Sequence, residues 1–309
     1  MNGIKLLVIA KKFNDIFYAI STAEWKRSSF KTLLIVSDKL TVRDYPMTDM
    51  FNDIHYLQQE KGIAGLLKIN IEIKKLISKI DFNVVVLSNI SIVANKLVLC
   101  SEKCKSAILV EDGLMNYYHF KEPNSFKKKV LMNLFGIRQN TVLSKIAKTY
   151  LLQPSEAKYS FGVLEQLKID TELFKNTILQ MPDIQGKKIF IGQPLYHSYT
   201  GNNLSVSEYN TIINKAISQF NIDFYVPHTM ADSRENINCP KLDIGKYKIT
   251  FEILASIFNL EFYSISSTVL YSTKIINSKG KSVMIKIPKI KSPSSDNIIY
   301  KYVDKIVQL

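Results

Sequence analysis

The sequence predicts an α/β protein built on parallel sheets, and three observations predict it. Short runs of β-branched and aliphatic residues recur along the chain, each of strand length. Stretches with apolar residues at helical spacing separate them. Several runs also stop abruptly in charged or hydroxyl residues, as strands do where a parallel sheet opens to ligand at its carboxyl edge.

The elements follow in order. Ile4–Ala10 reads as a first strand, and Asn14 or Asp15 as the cap of a helix running through Ala19 to Trp25. Thr32–Val36 reads as a second strand, and the polar segment 39–53, which contains Pro46, as a loop. From Ile63 to Ile80, Leu66, Leu67, Ile69, Ile73, Leu76, Ile77 and Ile80 fall at helical spacing, with lysines on the other face. Val84–Leu87 is a strand, Ser91–Cys104 a helix and Ala107–Val110 a strand. Lys127–Phe135 reads as a basic amphipathic helix, packed or lying on a membrane surface. The pattern loosens between Ile137 and Gly186, with one strand at Lys148–Leu152 before Pro154. A boundary near residue 150 is therefore expected, giving domains 1–150 and 151–309.

The alternation then restarts. Lys188–Ile191 is a strand ending in Gly192-Gln193-Pro194. Ser205–Phe220 is a helix with Ser205 as cap and Glu208 completing a capping box. Asp223–Val226 leads to Pro227-His228, Thr250–Phe258 is a helix, and Glu261–Ile265 leads to Ser266-Ser267-Thr268. Val269–Ile276 is a helix, Ser282–Ile287 a last strand, and Ser294–Leu309 a final helix capped by Ser294, Ser295 or Asp296. Strands alternating with helices imply parallel sheets with helices on both faces.

Composition bounds the function. The 309 residues are 46% hydrophobic and 22% charged, which is ordinary for a soluble globular chain of two domains. A formal charge of +14 favours anionic partners: nucleic acid, acidic lipid or phosphorylated small molecules. The densest basic runs are Lys127-Lys128-Lys129 and Lys281–Lys291, and no zinc-finger spacing or RNA-binding aromatic signature accompanies them, so nucleic acid is not the expected partner. Cys100, Cys104 and Cys239 follow neither a disulfide framework nor a Cys-x-x-Cys zinc spacing, and read as reduced residues of a cytosolic protein. No spanning segment and no signal peptide are expected. The absence of a Gly-x-Gly-x-x-Gly turn and of a Walker loop counts against nicotinamide or flavin enzymes and nucleotide hydrolases.

The chemistry sits at the strand ends. Ile108–Val110 runs into Glu111-Asp112-Gly113, where Gly113 permits a sharp turn and a carboxylate is held at a sheet edge. One of the two would serve as a general base, or the pair is a plain acidic turn meeting water. His228 would protonate a leaving phosphate, or is a structural histidine. Ser266 and Ser267 before a helix make an anion site, or simply a helix cap. Glu252 is either functional or a surface carboxylate of an amphipathic helix, and His55, His119 and His197 read as surface residues. Two doubly wound domains facing across a cleft would bring these ends together to displace a phosphate from a sugar.

The order of these signals resembles that of the bacterial sialyltransferases. An acidic-acidic-Gly motif, a histidine motif and a Ser-Ser/Thr motif occur there in this order, and Ile189–Leu195 with Glu111-Asp112-Gly113 looks most like glycosyltransferase family 52. In this chain Pro227 precedes His228 and Thr229 follows it, where the motif is usually His-Pro. The resemblance implies a glycosyltransferase-B fold of two Rossmann-like domains, acceptor-side first and nucleotide-sugar-binding second. It implies an inverting, metal-independent transfer of sialic acid from CMP-sialic acid to a terminal galactose of lipooligosaccharide, O-antigen or capsule. Glu111 or Asp112 would be the base and His228 the acid. Ser266 and Ser267 would bind the phosphate, Glu252 would hold the ribose, and Gly192 and Gln193 would line the nucleotide pocket. Glu208 is a reserve base. No cofactor beyond the donor is expected. The location would be cytoplasmic, peripheral on the inner membrane face, with a homodimer conceivable. The rivals are a same-fold transferase using another nucleotide sugar and a non-catalytic protein binding anionic glycans.

Overall fold

The computed structural model describes residues 3–37, 45, 47–60, 62–117, 130, 132–158, 161–174, 179–197, 200–202, 204–228, 231–247, 249–294 and 297–309. The chain divides into two compact units, Met1–Asp170 and Thr171–Leu309. Several expectations lie outside the described residues: Lys127–Lys129 at the start of the basic helix, most of the first half of the 39–53 loop with Pro46, His119, Thr229, and the caps Ser295 and Asp296.

The first unit carries strands β1 (Ile4–Ala10), β2 (Ser28–Ser37), β3 (Asp53–Gln58), β4 (Val84–Leu87), β5 (Ser106–Val110), β6 (Ile146–Leu151) and β7 (Val163–Gln166). They form one sheet in the order β3-β2-β1-β4-β5-β6-β7, and every pairing is parallel. Its helices are α1 (Phe13–Ile20), α2 (Ala23–Arg27), α3 (Gly62–Lys79), α4 (Val93–Leu99) and α5 (Gln139–Ser144). Leu7 and Ile9 of β1 share a core with Ile69 and Ile73 of α3 and Val98 of α4. The alternating residues Leu6 and Val8 are fully buried as well, so both sheet faces are covered, as continuous apolar strands require.

Departures from the expected layout have local causes. The first helix breaks at Ser21-Thr22, where Thr22 accepts the Trp25 N–H and starts α2 afresh. The strand β3 escapes detection because its residues DIHYLQ are only partly buried, at the sheet edge, and lack an apolar run. The helix expected over Ser91–Cys104 is shorter, Val93–Leu99. The boundary lies after Asp170 rather than near residue 150, because β6 and β7 extend the first sheet.

The second unit has strands β8 (Lys188–Ile191), β9 (Phe224–Val226), β10 (Glu261–Ser264), β11 (Lys281–Lys286) and β12 (Lys305–Gln308), ordered β12-β11-β10-β8-β9 and all parallel. Its helices are α6 (Val206–Phe220), α7 (Phe251–Ile257), α8 (Val269–Ile276) and α9 (Ile299–Tyr302). Ser205 and Glu208 form the expected capping box on α6. Tyr209, Ile213 and Ala216 of that helix pack on Phe190, Tyr263 and Ile285 of the sheet. The expected C-terminal helix is reduced to α9. The β-branched residues beyond it, Ile306 and Val307, pair as β12 with Met284 and Ile285 of β11.

Each sheet reverses its winding direction once: between β1 and β4 in the first unit, and between β8 and β10 in the second. At such a point neighbouring loops diverge to opposite faces and leave a crevice at the carboxyl edge. All three cysteines are free; Cys104 is buried, and burial pushes its thiol up to about 11. Among the described residues, no helix is long and apolar enough to cross a membrane.

Trp25, the only tryptophan, is buried in the first unit and reports its unfolding. Replacing the fully buried Ile73 by Ala removes core contacts and leaves a cavity. The expected loss is about 2–5 kcal/mol, read as a lower urea midpoint of Trp25 fluorescence.

Candidate functional site

In the first unit the carboxyl edge of the sheet gathers the loops after β1, β4 and β5. Gly113 takes a positive φ of 61°, which lets the chain turn immediately beyond the acidic pair into a short 3-10 turn, Gly113–Tyr117. The two carboxylates part company there. Glu111 is buried and accepts hydrogen bonds from the Tyr117 hydroxyl (2.8 Å) and the Leu152 N–H (2.9 Å), tying the end of β5 to the end of β6. Asp112 lines a pocket with Ser88, Asn89, Ser91, Met115 and Asn116. Its Oδ1 accepts from Lys12 Nζ (2.6 Å) and its Oδ2 from Asn89 Nδ2 (2.7 Å). Of the two candidate bases, Asp112 lines the hollow, while Glu111 is enclosed and links β5 to β6.

Sequence reasoning missed the groups around Asp112. The N-cap position of α1 is Lys12 rather than Asn14 or Asp15; Asp15 caps from the first turn, accepting the backbone N–H of Lys11 (2.7 Å) and Lys12 (2.8 Å). Burial pushes the Asp15 carboxyl upward, while Lys12, those two N–H groups and the Ser88 hydroxyl oppose the shift. Burial also works against the Lys12 charge, but Asp112 and Asp15 outweigh it and hold the ammonium above its ordinary value. The available signal was the polar pair Ser88-Asn89 directly after a strand, the same kind of strand end that marked the other sites.

In the second unit the loops after β8, β9 and β10 share the carboxyl edge. Gly192 has no room for a side chain: a Cβ there would strike the Tyr225 hydroxyl. The Gln193 Oε1 accepts both the Ser266 N–H (2.9 Å) and the Ser266 hydroxyl (3.2 Å), bridging the point where the sheet reverses. The Ser267 oxygen accepts the Val269 N–H (3.2 Å) at the start of α8, which leaves its own proton to donate. Gln193 and Ser266 are thus in direct contact, and Gly192 and Ser267 are their chain neighbours.

Glu252 does not. It is 3% exposed and accepts the Ser272 hydroxyl (2.9 Å), so it is neither a surface carboxylate nor a group with much surface for a ribose; it braces α7 against α8. Glu208 is likewise committed, accepting the Ser205 N–H and hydroxyl, both at 2.8 Å, which explains why its carboxyl is held low.

His228 follows β9 and is half-buried. Burial first, and the His197 imidazole second, hold its pKa below the ordinary histidine value. His197 is therefore not an isolated surface residue: its ring packs on Tyr196, with centroids 5.1 Å apart. His55 also has a partner, Asp53, at 2.7 Å. The segment beyond His228 is anchored by an unforeseen network. Glu235 accepts the hydroxyls of Tyr196 (2.6 Å) and Tyr225 (2.8 Å), Tyr225 contacts the Tyr209 hydroxyl (3.2 Å), and Tyr209 accepts the Gln193 N–H (3.2 Å). Burial, with the Glu235 charge nearby, pushes all three phenols well up, so they remain hydroxyl donors.

Parallel sheets with polar residues at their carboxyl edges host many chemistries, and comparison with known proteins defines the class. The sequence profile of glycosyltransferase family 52 matches residues 34–293, and the chain belongs to that family. It is a glycosyltransferase. No curated protein matches it. Among solved structures, a protein assigned as a UDP-N-acetylglucosamine 2-epimerase from Listeria monocytogenes aligns with 91% of this chain and 79% of its own, at 10% identity and a TM-score of 0.52. That likeness is one of fold, the glycosyltransferase-B type. MurG from Acinetobacter baumannii (11% identity, 99% and 86% covered, TM-score 0.45) and a family 9 glycosyl transferase from Veillonella parvula (10%, 99% and 86%, 0.42) also align.

The His228 shift makes a prediction. In the free protein its imidazole should titrate by NMR below the ordinary value of about 6.5. His197→Gln should move the midpoint upward, because a neighbouring positive charge is removed.

Proposed function

We propose that this glycosyltransferase moves sialic acid from CMP-sialic acid to a terminal galactose of a bacterial surface glycan, with inversion and without a metal or other cofactor. Asp112 takes the proton of the acceptor hydroxyl, the freed oxygen attacks the anomeric carbon, and the CMP phosphate leaves with a proton from His228. Gln193, Ser266 and Ser267 receive that phosphate: Gln193 Oε1 is occupied by Ser266, so its amide N–H groups are turned toward other partners, and the Ser267 proton is available. Gly192 keeps the turn slim enough for this approach.

The observation that carries the reading is the Gln193–Ser266 bridge at the sheet reversal, with His228 on the adjoining strand β9. Family membership supports it. The site's histidine is held in the neutral form until an anion arrives, because burial lowers its pKa. A bound phosphate restores the proton by its negative charge. Accordingly, kcat/KM should fall with rising pH through a value below about 6.5, and kcat through a higher one.

The basic composition suits an anionic donor and an anionic inner-membrane face. Ile63, Leu67 and Ile71 line the solvent side of α3 beside exposed Lys68, Lys74 and Lys75, which supports peripheral binding to acidic lipid.

The test is product mass after incubation with CMP-sialic acid and a panel of galactosides, with and without EDTA. His228→Ala and Asp112→Asn should each lower turnover by about 10²–10⁴-fold. Near-full turnover in His228→Ala would remove the acid from the mechanism. A donor other than CMP-sialic acid is the second reading. It predicts that UDP or GDP, rather than CMP, raises the melting temperature, since only a ligand of the native state does so.

A further inference from the structure

We propose that Lys12 and Asn89 are positioning residues of the reaction, each gripping one of the two oxygens of Asp112. The inference rests on Asp112 being the base.

Three adjacent strands, β1, β4 and β5, deliver one residue each to this cluster. Lys12 follows β1 and donates to Oδ1 at 2.6 Å; Asn89 follows β4 and donates to Oδ2 at 2.7 Å. The Asp112 backbone is fixed too, since its N–H donates to Asn116 Oδ1 at 2.9 Å.

The Asn89 amide is not free to turn away, and the backbone that carries Lys12 is held in place. The Asn89 Oδ1 accepts the Ser91 N–H (2.7 Å) and the Ser91 hydroxyl (2.5 Å), so only its NH2 group faces Asp112. The Asn89 carbonyl accepts the Asn95 amide (2.5 Å). The Lys12 N–H is held by buried Asp15 at 2.8 Å, and the Lys11 carbonyl accepts the hydroxyl of fully buried Tyr45 at 2.7 Å.

The arrangement suits a base better than a structural tie. The pair straddles the surface: the Lys12 side chain is 60% exposed and that of Asp112 only 5%. Asp112 is only 7% exposed, and a charge so covered needs a partner to stay ionised. An ionised carboxylate has about four acceptor positions, and the two donors take one on each oxygen. The plane of the carboxylate is thereby set, while an acceptor position remains on each oxygen for an incoming hydroxyl. Lys12 supplies charge and Asn89 supplies direction. Fixing the group beforehand avoids ordering it at each turnover.

The experiment compares Lys12→Met, Lys12→Arg, Asn89→Ala and Asp112→Asn for kcat, donor KM and melting temperature. Lys12→Met and Asn89→Ala are expected to lose about ten- to a hundredfold in kcat. Donor KM should hold within about twofold, Asn89→Ala should melt close to wild type, Lys12→Met should melt lower because the covered Asp112 loses its cation, and Lys12→Arg should recover most of both losses. Wild-type kcat in both variants, with Asp112→Asn inactive, would overturn the inference and leave the base assignment standing. A rise in donor KM, or equal losses in Lys12→Met and Lys12→Arg, would make Lys12 a binding group and also overturn it. A loss of kcat that merely tracks a fallen melting temperature in both variants would reduce the pair to a structural role. Full turnover in Asp112→Asn would instead remove the base itself.

Discussion

Parallel pairing of every strand is the constraint on which the rest depends. When all strands of a sheet run the same way, every strand-to-helix loop emerges at one edge and every return loop at the other. Chemistry-bearing residues far apart in sequence then become neighbours without any long-range search by side chains. Lys12, Asn89 and Asp112 meet because β1, β4 and β5 are adjacent, and Gln193 and Ser266 because β8 and β10 are. The sheet reversal in each unit adds the gap where a ligand can sit between loops that diverge.

Burial then sorts chemically alike groups into different tasks. Glu111 and Asp112 are consecutive carboxylates, yet one is spent on a tyrosine hydroxyl and a backbone N–H, and the other opens on a pocket. Glu252 and Glu208 illustrate the same rule from opposite extremes, one enclosed between helices and one exposed as a cap. Glu111 and Asp112 each accept two fixed donors, so what distinguishes them is that Asp112 lines a hollow and Glu111 is enclosed. Accounting for hydrogen-bond partners and burial together describes a carboxylate better than residue type does. The hollow at the opposite edge of the first sheet fails this accounting: Lys103 spends its ammonium on the carbonyls of Ile77, Ser78 and Ile80, and Lys5 pairs with Asp81.

The layout of strands and helices was legible wherever an apolar run was buried on both faces, as in Ile4–Ala10 or Val84–Leu87. It was not legible in β3 and β7, edge strands with mixed residues, or in β12, whose short run followed a segment with helical spacing. The strand-end motifs Glu111-Asp112-Gly113, Gly192-Gln193 and Ser266-Ser267 were visible because they interrupt apolar runs. Their supporting partners were not. Lys12, Asn89, Tyr196, Tyr209 and Glu235 acquire meaning only from tertiary distance, which single-sequence patterns do not carry.

The phenol network has a consequence for tolerance to change. Tyr196, Tyr209 and Tyr225 are stiff rods with few torsions, and their tips converge on Glu235 and the Gln193 turn. A single hydroxyl removed from one ring therefore strands its partners in a dry interior. The stretch after His228 is bound to the same rods, since the Asp232 N–H donates to the Tyr196 hydroxyl and its carboxylate pairs with Arg234.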